Sequence, residues 1–589
     1  MKNCINKIIT YMFMALSVSC TEPSKLSSDS SLRKPYHDCQ AQNGDIKLTI
    51  LHSNDHHGWF WKNRYGEWGM GARKTLIDRI RSEVANEGGC TLLLSAGDVF
   101  TGTPASDYFN AEPDFLGMTL LGYDAMTVGN HEFDKGVDVL LEREAQVQDD
   151  FPMISGNITK ENGDLLFPGD GGDGQVSFNI SGAKVTVWGL TTIDTKVPQS
   201  SGLTVHQPTD VAREKATSLK EDSHVLVGLT HMGHYPNEKP EAGPSQRQRQ
   251  GDVMLALNNP NVFDIIVGGH SQLPLFEADK VAGTYIVQAY EWGKYLGRID
   301  LVIGENPVLG AQNIKSLDYK LLPVNIRDDA GNCIAGAGEP FLKIPCLEED
   351  QEVIAALEPY QKDEALSELY EKIGRSEDTF SGERSVIRKK QAPLGQLVNR
   401  AIDHKVQSVL QADFYVESMH QCKSRHFSIY NGGGIRSSLN EGDVLGLDAK
   451  LIFPFGTKVI TTEMSYQQLV EYMSMVSQIP YNPKASSGDY PQVFGLRMKL
   501  EDGKLRDIEC LNSAGEWISL NENDSYYLSL GAYVHGGGDG SYPSLVLTEK
   551  SMEHKEAMFT IFADYIKTQS VLRLEDYPVN EAFKEVNVP

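Results

Sequence analysis

A chain of 589 residues is too long for one hydrophobic core and predicts two or more domains. Hydrophobic residues make up 40% of it, which predicts packed globular domains, and a formal charge of −26 argues against a nucleic acid polymer as partner, because two polyanions repel each other. Beyond the first 20 residues, no apolar run reaches the roughly 20 residues that a membrane-spanning helix needs.

The N-terminus has the layout of a bacterial secretion signal. Two lysines precede the apolar stretch Ile8 to Val18, and small residues lead to Cys20. We therefore expect residues 1–20 to be a signal peptide, residues 21–43 to be a flexible segment, and the protein to be exported. Two alternatives remain open for processing, namely lipidation of Cys20 as in a lipoprotein, and ordinary cleavage without a lipid anchor.

Residues 44–345 alternate short apolar runs with amphipathic segments, which predicts an α/β domain. The predicted strands are Ile46 to Leu51, Thr91 to Leu94, Ala125 to Val128, Val185 to Leu190, Val225 to Leu229 and Ile265 to Val267. The predicted helices are Gly71 to Ala85, Pro104 to Leu121 and Val211 to Glu221.

The region after this domain predicts a connector and a second domain. Asp350 to Ile373 is charged, has apolar residues at helical spacing and contains only Pro359 as a helix breaker. We expect a connecting helix and hinge within residues 346–376, followed by a second α/β domain over residues 377–589.

Six cysteines follow the predicted signal, and none forms a C-x-x-C pair, so thiolate zinc and redox motifs are absent from the sequence. They are Cys39, Cys90, Cys333, Cys346, Cys422 and Cys510. We expect a disulfide between Cys333 and Cys346, which flank a loop with Gly and Pro, while free buried thiols remain the alternative elsewhere.

Five polar clusters each follow an apolar run, at the positions where open α/β sheets place their active sites. They are NDHHG (54–58), GDVF (97–100), GNHEFD (129–134), THMGH (230–234) and GGHSQ (268–272). Asp55 and His57 alternate, so we expect both to leave one face of an extended strand end. A single Asp or His of this kind is more often structural, but five clusters in one domain favour a two-metal phosphoesterase.

The clusters supply oxygen and nitrogen ligands of the kind that Zn, Mn, Co or Mg prefer. The candidate ligands are Asp55, His57, Asp98, Asn130, His231, His270 and Gln272. A carboxylate that bridges is needed, because two divalent ions roughly 3.5–4 Å apart repel each other unless an anionic oxygen lies between them.

The order D-x-H, GD, GNHE, H and GHSQ, followed by NGGGIR (431–436), PFG and GGDG, resembles the bacterial periplasmic 5′-nucleotidase/UDP-sugar hydrolase family over nearly the whole mature chain. The resemblance implies a metallophosphoesterase domain built as a four-layer β-sandwich flanked by helices, and a C-terminal α/β domain for substrate recognition. It also implies the periplasm or an outer-membrane lipoprotein of a Gram-negative bacterium, and we expect a monomer.

The resemblance further implies roles for the residues that match the family motifs. Asp55, His57 and Gln272 would hold one divalent metal, Asn130, His231 and His270 the other, and Asp98 would bridge them. His131 would stabilise charge on the leaving oxygen with Asp134 orienting its ring, and a metal-activated water would attack. The implied substrate-binding residues are Arg384, Arg388, Asn431, Arg436, Phe455, Tyr533 and Asp539.

Within the second domain, Arg436 ends a glycine-rich segment and can pair bidentately with phosphate. The resemblance implies that the base stacks between the rings of Phe455 and Tyr533, where Tyr533 replaces a more common Phe. It also implies that Asp539 accepts a hydrogen bond from a ribose hydroxyl. Ordinary core packing is the alternative for both rings.

The implied activity is hydrolysis of nucleoside 5′-monophosphates such as AMP, and also of 5′-di- and triphosphates and UDP-sugars. The resemblance also implies that the second domain rotates about the connecting segment during turnover. Two alternatives stay open, namely a 2′,3′-cyclic-nucleotide phosphodiesterase/3′-nucleotidase, and a non-catalytic surface protein that binds nucleotides.

Overall fold

A computed structural model of the chain describes residues 44–235, 251–328, 330–335, 342–410, 421–481, 487–579 and 581–585, except the side chains of residues 199, 487 and 539. The predicted signal peptide, Cys20, the segment 21–43 and Cys39 lie outside these residues. None of the described helices is long and apolar enough to span a membrane. Strands and helices are numbered below in chain order.

The first sheet of the N-terminal domain has eight strands. They are β1 (Ile46–Ser53), β2 (Cys90–Ser95), β3 (Ala125–Thr127), β4 (Met153–Thr159), β5 (Leu165–Phe167), β8 (Thr204–Val205), β13 (Tyr295–Ile303) and β14 (Ile314–Pro323). Their order is β14-β13-β1-β2-β3-β4-β5, with β8 paired to β4. Strands β1 to β4 run parallel, so their carboxyl ends lie along one edge.

The second sheet of this domain has six strands. They are β6 (Gln175–Ile180), β7 (Ala183–Thr191), β9 (Val225–His231), β10 (Ile265–Gly268), β11 (Asp279–Val281) and β12 (Thr284–Gln288). Their order is β11-β12-β10-β9-β7-β6, and β7, β9, β10 and β12 are parallel.

The two sheets pack face to face with helices outside both. Leu48 and Leu92 of the first sheet and Val185 and Val227 of the second belong to one buried cluster. The helices are α1 (Met70–Asn86), α2 (Pro104–Tyr108), α3 (Glu112–Leu121), α4 (Val137–Val147), α5 (Pro208–Glu221), α6 (Asp252–Asn258) and α7 (Gln351–Gln361). Helices α1, α3, α4 and α7 bury apolar residues over the first sheet, and α5 and α6 over the second. The predicted four-layer sandwich is confirmed.

The C-terminal domain is also α/β. Its strands and the short pair before it are β15 (Ile334–Ala335), β16 (Leu342–Lys343), β17 (Lys372–Ser376), β18 (His426–Asn431), β19 (Gly442–Leu445), β20 (Lys458–Ser465), β21 (Pro491–Phe494), β22 (Leu496–Glu501), β23 (Lys504–Leu511), β24 (Trp517–Ser519), β25 (Ser525–Gly531), β26 (Ser551–Ala557) and β27 (Phe583–Glu585). Its helices are α8 (Arg384–Ile387), α9 (Pro393–Leu410), α10 (Gly446–Ile452), α11 (Tyr466–Val476), α12 (Ala532–His535) and α13 (Met558–Thr568).

The central sheet of this domain has the order β21-β18-β25-β20-β26, and a second sheet has the order β24-β23-β22-β27. Helices α9 and α13 share one buried cluster with β18 and β20. Helix α11 packs with β22 and β23 in another. The second domain therefore carries two cores of its own.

All six predicted strands are present, as are the helices predicted at α1 and α5. The prediction of one helix from Pro104 to Leu121 is wrong, because α2 and α3 are separate. Asn110 and Ala111 between them have φ of 50° and 60°, a left-handed conformation that a continuous helix excludes.

The connecting helix is shorter than predicted. Of the stretch Asp350 to Ile373, only α7 is an α-helix. The Asp363 side chain then accepts from the backbone N–H of Ala365 and starts a separate 3₁₀ turn, Glu364–Tyr370. Val353 and Leu357 of α7 and Leu366 of this turn belong to the core that covers the first sheet, so α7 is part of the N-terminal domain, while the turn also packs against α10 of the second domain.

The structure contains the predicted disulfide between Cys333 and Cys346 and a second one between Cys422 and Cys510. Cys90 is also disulfide-bonded. The alternative of free thiols is therefore wrong for Cys90, Cys422 and Cys510. The second bridge joins residues 88 positions apart, from the segment before β18 to β23.

Replacing both Cys422 and Cys510 by Ser is expected to lower the free energy of unfolding of the C-terminal domain by about 2–5 kcal/mol, because the bridge restricts the unfolded chain. Urea unfolding followed by tyrosine and tryptophan fluorescence in non-reducing buffer measures this. With a thiol reductant present, variant and wild type should converge. Equal stability in non-reducing buffer would contradict the expectation.

Candidate metal centre

The five polar clusters meet where the two sheets face each other. Three of them follow β1, β2 and β3 of the first sheet, and two lie at the ends of β9 and β10 of the second. All five strands are parallel within their sheets, so these ends lie at matching edges of the sandwich. This brings together side chains that are far apart in sequence.

One set of candidate ligands surrounds His57. Its Nε2 atom lies 3.8 Å from Asp55 Oδ1, 3.8 Å from Asp98 Oδ2 and 2.7 Å from the Gln272 side-chain nitrogen. Its Nδ1 donates to two backbone carbonyl oxygens at 3.0 Å, which fixes the tautomer and leaves the Nε2 lone pair facing the carboxylates.

A second set lies on the other side of Asp98. His231 Nε2 is 2.9 Å from Asp98 Oδ2, while its Nδ1 donates to the Ala96 carbonyl at 2.6 Å. His270 Nδ1 lies 2.8 Å from Asn130 Oδ1. Asp98 therefore contacts both sets.

These donors fit divalent metal ions. The ligand atoms of His57, Asp98 and His131 lie within 4.8 Å of one another, and so do those of Asp98, His231 and His270. Among the described residues, Asp55 Oδ1 and Gln272 Oε1 are buried without a hydrogen-bond partner. Buried polar atoms without partners cost free energy, and cations would satisfy them.

The candidate ligands leave the strand ends through a left-handed backbone. The φ angles are 50° at Asp55, 48° at His57, 57° at Asp98, 72° at His270 and 52° at Gln272. The prediction that Asp55 and His57 leave one face of an extended strand is therefore wrong, since β1 has already ended. Sharp turns of this kind are strained and are typical of functional sites.

A buried carboxylate that the sequence analysis did not single out holds the loop of Asp98. Glu132 Oε1 accepts from the backbone N–H groups of Val99 (2.6 Å) and Phe100 (3.3 Å), and Oε2 from those of Asp98 (3.0 Å) and Gly129 (2.5 Å). The feature of the sequence that could have identified Glu132 is its position inside the GNHEFD motif. The carboxylate accepts four hydrogen bonds, so it fixes two ligand-bearing loops to each other.

Asn54 has a similar supporting role that the sequence analysis also missed. Its amide nitrogen donates to Asp55 Oδ2 at 2.7 Å and to the Tyr290 carbonyl at 2.6 Å, and its oxygen accepts from the N–H of Ala289 at 2.8 Å. It thereby ties Asp55 to the segment after β12.

Burial and mutual charge shape the protonation of this cluster. Burial raises the pKa of Asp55 to about 6 and lowers the pKa of His57 to about 3, which keeps that imidazole neutral, as a metal ligand must be. Burial opposes the charged form of His231, but the adjacent Asp98 carboxylate raises its pKa to about 10.

The predicted catalytic pair is in contact. His131 Nδ1 lies 2.7 Å from Asp134 Oδ2, and the backbone N–H of His131 donates to Asp98 Oδ1 at 2.9 Å. Burial works to lower the pKa of His131, but Asp98 and Asp134 raise it above its ordinary value. The ring stacks on Phe455 of the second domain, with centroids 6.0 Å apart and planes 19° apart.

Two of the predicted arginines reach this centre from the second domain. Arg384 lies 3.7 Å from Glu291 and donates to the Ser271 carbonyl at 3.4 Å. Arg436 is partly buried, and desolvation together with Arg384 lowers its pKa to about 10, while Glu291 and Asp98 act in the opposite direction. The structure thus places two guanidinium groups beside the candidate metal ligands.

The other predicted substrate residues lie in different surroundings. Arg388 lines a separate cavity with Lys389 and Lys390, while its backbone packs against Gly432 of the glycine-rich segment. Asn431 is buried and donates to the Gly488 carbonyl at 3.1 Å. The side chain of Asp539 lies outside the described part of the chain.

The second aromatic plate, Tyr533, is held by a residue that the sequence analysis missed. Its hydroxyl donates to Asp489 Oδ1 at 3.2 Å, and the hydroxyl of Ser541 donates to Oδ2 of the same carboxylate at 2.5 Å. Lys196 of the first domain lies 5.7 Å from the ring centroid. The hydroxyl that distinguishes Tyr from Phe therefore has a partner of its own.

Comparison with known proteins identifies relatives of both domains. Residues 48–274 match the calcineurin-like phosphoesterase family, and residues 372–546 match the 5′-nucleotidase C-terminal domain. The chain is 35% identical over 580 residues to a 5′-nucleotidase of Vibrio parahaemolyticus, covering 94% of this chain and 95% of the relative. It is 36% identical over 529 residues to protein UshA of Escherichia coli, covering 86% and 88%.

Solved structures share the fold. A 5′-nucleotidase precursor of Thermus thermophilus matches 92% of this chain and 100% of its own, with a TM-score of 0.69 at 22% identity. The sulfate thiohydrolase SoxB of the same genus matches 92% of this chain and 97% of its own, with a TM-score of 0.66 at 18% identity. At these identities the likeness concerns the fold alone.

Glu132→Gln is expected to weaken binding of divalent metal by about 10–100-fold, the usual effect of losing an outer support of a metal site. The amide replaces one acceptor oxygen by an NH₂ group that faces two backbone N–H donors. Calorimetric titration of metal-free protein with Mn²⁺ measures the affinity. The matched control is Glu144→Gln, on α4 of the same domain. Unchanged Mn²⁺ affinity of a folded Glu132→Gln protein would contradict the role assigned to Glu132.

Proposed function

The chain belongs to the 5′-nucleotidase family of hydrolases, and from this premise we propose that it hydrolyses nucleoside 5′-monophosphates to a nucleoside and phosphate at a centre for two divalent metals. The observation that carries the proposal is the position of the Asp98 carboxylate, in contact with His57 on one side and His231 on the other. Two arginines of the second domain lie beside this centre, where a phosphate would need them.

We assign the metal ligands by their grouping around Asp98. One ion would be held by Asp55, His57 and Gln272. The other would be held by Asn130, His231 and His270, and Asp98 would contribute to both sites. When bound, such ions act as Lewis acids that offset phosphate charge and lower the pKa of water. The mixed nitrogen and oxygen donors suit Zn, Mn, Co or Mg.

His131 and Asp134 act on the leaving group in this proposal. The Nδ1–H of His131 donates to Asp134, so Nε2 is the atom available to the ester oxygen that departs. A proton or hydrogen bond there stabilises the negative charge that develops as the bond to phosphorus breaks. Arg384 and Arg436 would orient the phosphate and offset its remaining charge.

The nucleoside half is assigned to the second domain. Phe455 is 41% exposed and lies over the catalytic histidine, so its ring is accessible next to the reaction centre. Tyr533 keeps a fixed orientation through Asp489, which supports a plate for a stacked base. The proposal extends to nucleoside 5′-di- and triphosphates and to UDP-sugars, whose phosphates need the same ligands.

Export is part of the proposal. The disulfides Cys333–Cys346 and Cys422–Cys510 fit an oxidising compartment. The secretion signal and the lipid anchor at Cys20 lie outside the described residues and stay predictions. The mass of the N-terminal peptide of the mature protein, with or without acyl chains on Cys20, decides between the two forms of processing.

One substrate panel tests the activity. Release of phosphate from AMP, hydrolysis of UDP-glucose and hydrolysis of 2′,3′-cyclic AMP are measured side by side, with and without EDTA. Turnover of AMP that EDTA abolishes and Mn²⁺ restores is expected. Turnover of the cyclic nucleotide without AMP would favour the cyclic phosphodiesterase, and metal-dependent nucleotide binding without any turnover would favour a binding protein.

His131→Ala is expected to lower kcat for AMP by about 10²–10⁴-fold, the range for a positioned acid or charge-stabilising group, while the metal content stays at the wild-type level. Steady-state kinetics and metal analysis of the same preparation measure both. His404→Ala, an exposed histidine of the second domain, is the control. A kcat within a few-fold of wild type would exclude the assigned role.

Phe455→Ala is expected to raise KM for AMP by about 5–150-fold, which corresponds to roughly 1–3 kcal/mol of base stacking. Ribose 5-phosphate has no base, so its KM should change far less. Phe276→Ala is the matched control, because Phe276 is 43% exposed and Phe455 41%. An equal loss with ribose 5-phosphate would show that Phe455 does not act on the base.

A further inference from the structure

A buried arginine of helix α1 lies against the loop that carries two of the candidate metal ligands. The side chain of Arg73 is charged at any physiological pH, yet the residue is only 1% exposed. Arginine is almost never fully buried unless its charge has partners, because taking a cation out of water costs free energy. The partners of Arg73 therefore indicate what it does in the fold.

The first partner is the ring of His56. This residue stands between Asp55 and His57 in the sequence, and its side chain is buried. Its Nδ1 lies 3.4 Å from Arg73 Nη1 and 3.5 Å from Nη2. A guanidinium group can only donate hydrogen bonds, so Nδ1 is the acceptor and the ring hydrogen of a neutral imidazole lies on Nε2. The contact thus fixes the tautomer of a ring that has a candidate ligand on each side in the chain.

A carboxyl group contacts the other nitrogen of this ring. Asp114 of helix α3 is 0% exposed, and its Oδ1 lies 3.0 Å from His56 Nε2. Nε2 is the nitrogen that carries the hydrogen when Nδ1 accepts from Arg73. The ring of His56 is therefore held between helices α1 and α3, with one polar contact at each nitrogen.

The second partner of Arg73 is the backbone after β12. Its Nη2 donates to the carbonyl oxygen of Trp292 at 3.5 Å, and the N–H of Trp292 donates to the carbonyl oxygen of Asp55 at 2.8 Å. A Cβ atom added to Gly293 would overlap the guanidinium group, so a glycine is needed for this close approach. Since the carbonyl of Asp55 belongs to the peptide bond with His56, both partners of Arg73 act on the same peptide unit.

This peptide unit needs support because the backbone around it is strained. Asp55 and His57 have φ of 50° and 48°, a conformation that persists only where surrounding contacts fix it. Two backbone hydrogen bonds join the loop to the loop of Asp98, namely from Asp55 N–H to the Gly97 carbonyl at 2.9 Å and from His57 N–H to the Asp98 carbonyl at 3.0 Å. Arg73 adds contacts from a helix to those between the two loops.

We propose that Arg73 is a positioning residue of the metal centre, which holds Asp55 and His57 in place through His56 and Trp292. The inference rests on the proposed function, because it takes Asp55 and His57 as metal ligands. Residues that orient metal ligands from behind commonly contribute about 10–100-fold to metal affinity. The contribution of Arg73 is therefore to the affinity for the metal and to the arrangement of its ligands.

Arg73→Met tests the inference, because methionine fills similar space and has no hydrogen-bond donor. The affinity for Mn²⁺, measured by calorimetric titration of metal-free protein, is expected to fall about 10–100-fold. The visible absorption spectrum of the Co²⁺-loaded protein is expected to change, since it depends on the arrangement of the ligands. Arg73→Lys keeps a charge and a donor, so it is expected to lose less Mn²⁺ affinity than Arg73→Met. An equal loss in both variants would show that Arg73 does not act as a donor.

Arg81→Met is the matched control, because Arg81 is a second buried arginine of α1. It is 5% exposed and donates to the carbonyl oxygens of Leu121 and Gly122 at the end of α3, both at 2.7 Å. Its replacement should lower stability, since these buried hydrogen bonds are lost, but should leave Mn²⁺ affinity and the Co²⁺ spectrum unchanged. Wild-type Mn²⁺ affinity of a folded Arg73→Met protein, verified by circular dichroism, overturns the inference. An equal loss of affinity in Arg81→Met also overturns it, because the effect would then be a general one of stability.

A double variant keeps the test decisive if Arg73→Met does not fold. Arg73→Met combined with His56→Phe replaces both members of the pair by apolar side chains, which avoids leaving one buried polar partner alone. It is also expected to bind Mn²⁺ about 10–100-fold more weakly than wild type, and wild-type affinity would overturn the inference.

These measurements contain no nucleotide, so they separate the inference from the proposed function. Weakened Mn²⁺ binding in the Arg73 variants, with an unchanged Arg81→Met protein, supports the positioning role even if AMP is not hydrolysed. Unchanged Mn²⁺ binding in the Arg73 variants overturns that role even if the wild-type protein hydrolyses AMP.

Discussion

The centre depends on the four backbone N–H groups that converge on the buried carboxylate of Glu132. They fix the loop of Asp98 to the loop of Gly129. Each non-glycine residue held at positive φ costs of order 1–3 kcal/mol of conformational free energy. Such a backbone persists only where the surrounding contacts fix it. Four hydrogen bonds to one buried carboxyl group provide that constraint here. The position of Asp98 between His57 and His231 follows from this support.

The two domains divide the chemistry between them. All predicted metal ligands lie on the sandwich, whereas the arginines and aromatic plates lie on the second domain. In this structure those same side chains contact the sandwich, namely Arg384 with Glu291, Phe455 with His131, and Tyr533 with Lys196. Binding of substrate would therefore replace these contacts between the two domains by contacts with the substrate. Because α7 is packed in the first core, we expect the predicted rotation to fall after Gln361.

The sequence predicts the strands that position the site and the polar clusters at their ends, because apolar runs and the polar residues after them are local patterns. The four layers were predicted only through the resemblance to a known family. It does not predict what depends on contacts across the fold. At Asn110 and Ala111 the backbone becomes left-handed, which ends one helix inside a sequence pattern that looks continuously helical. Glu132, Asn54 and Asp489 are single polar residues whose partners are backbone groups or side chains made neighbours by folding. The bridge Cys422–Cys510 spans 88 residues for the same reason.

The aromatic residues beside the candidate metal centre escape sequence analysis for a related reason. The loop that carries Asp55 and His57 runs on into Trp59, and Trp292 stacks on Trp59 with ring centroids 5.3 Å apart. The backbone N–H of Trp292 donates to the carbonyl oxygen of Asp55 at 2.8 Å. Because this hydrogen bond and this stacking join two segments that are far apart in sequence, the position of Asp55 depends on the packing of Trp59 against Trp292.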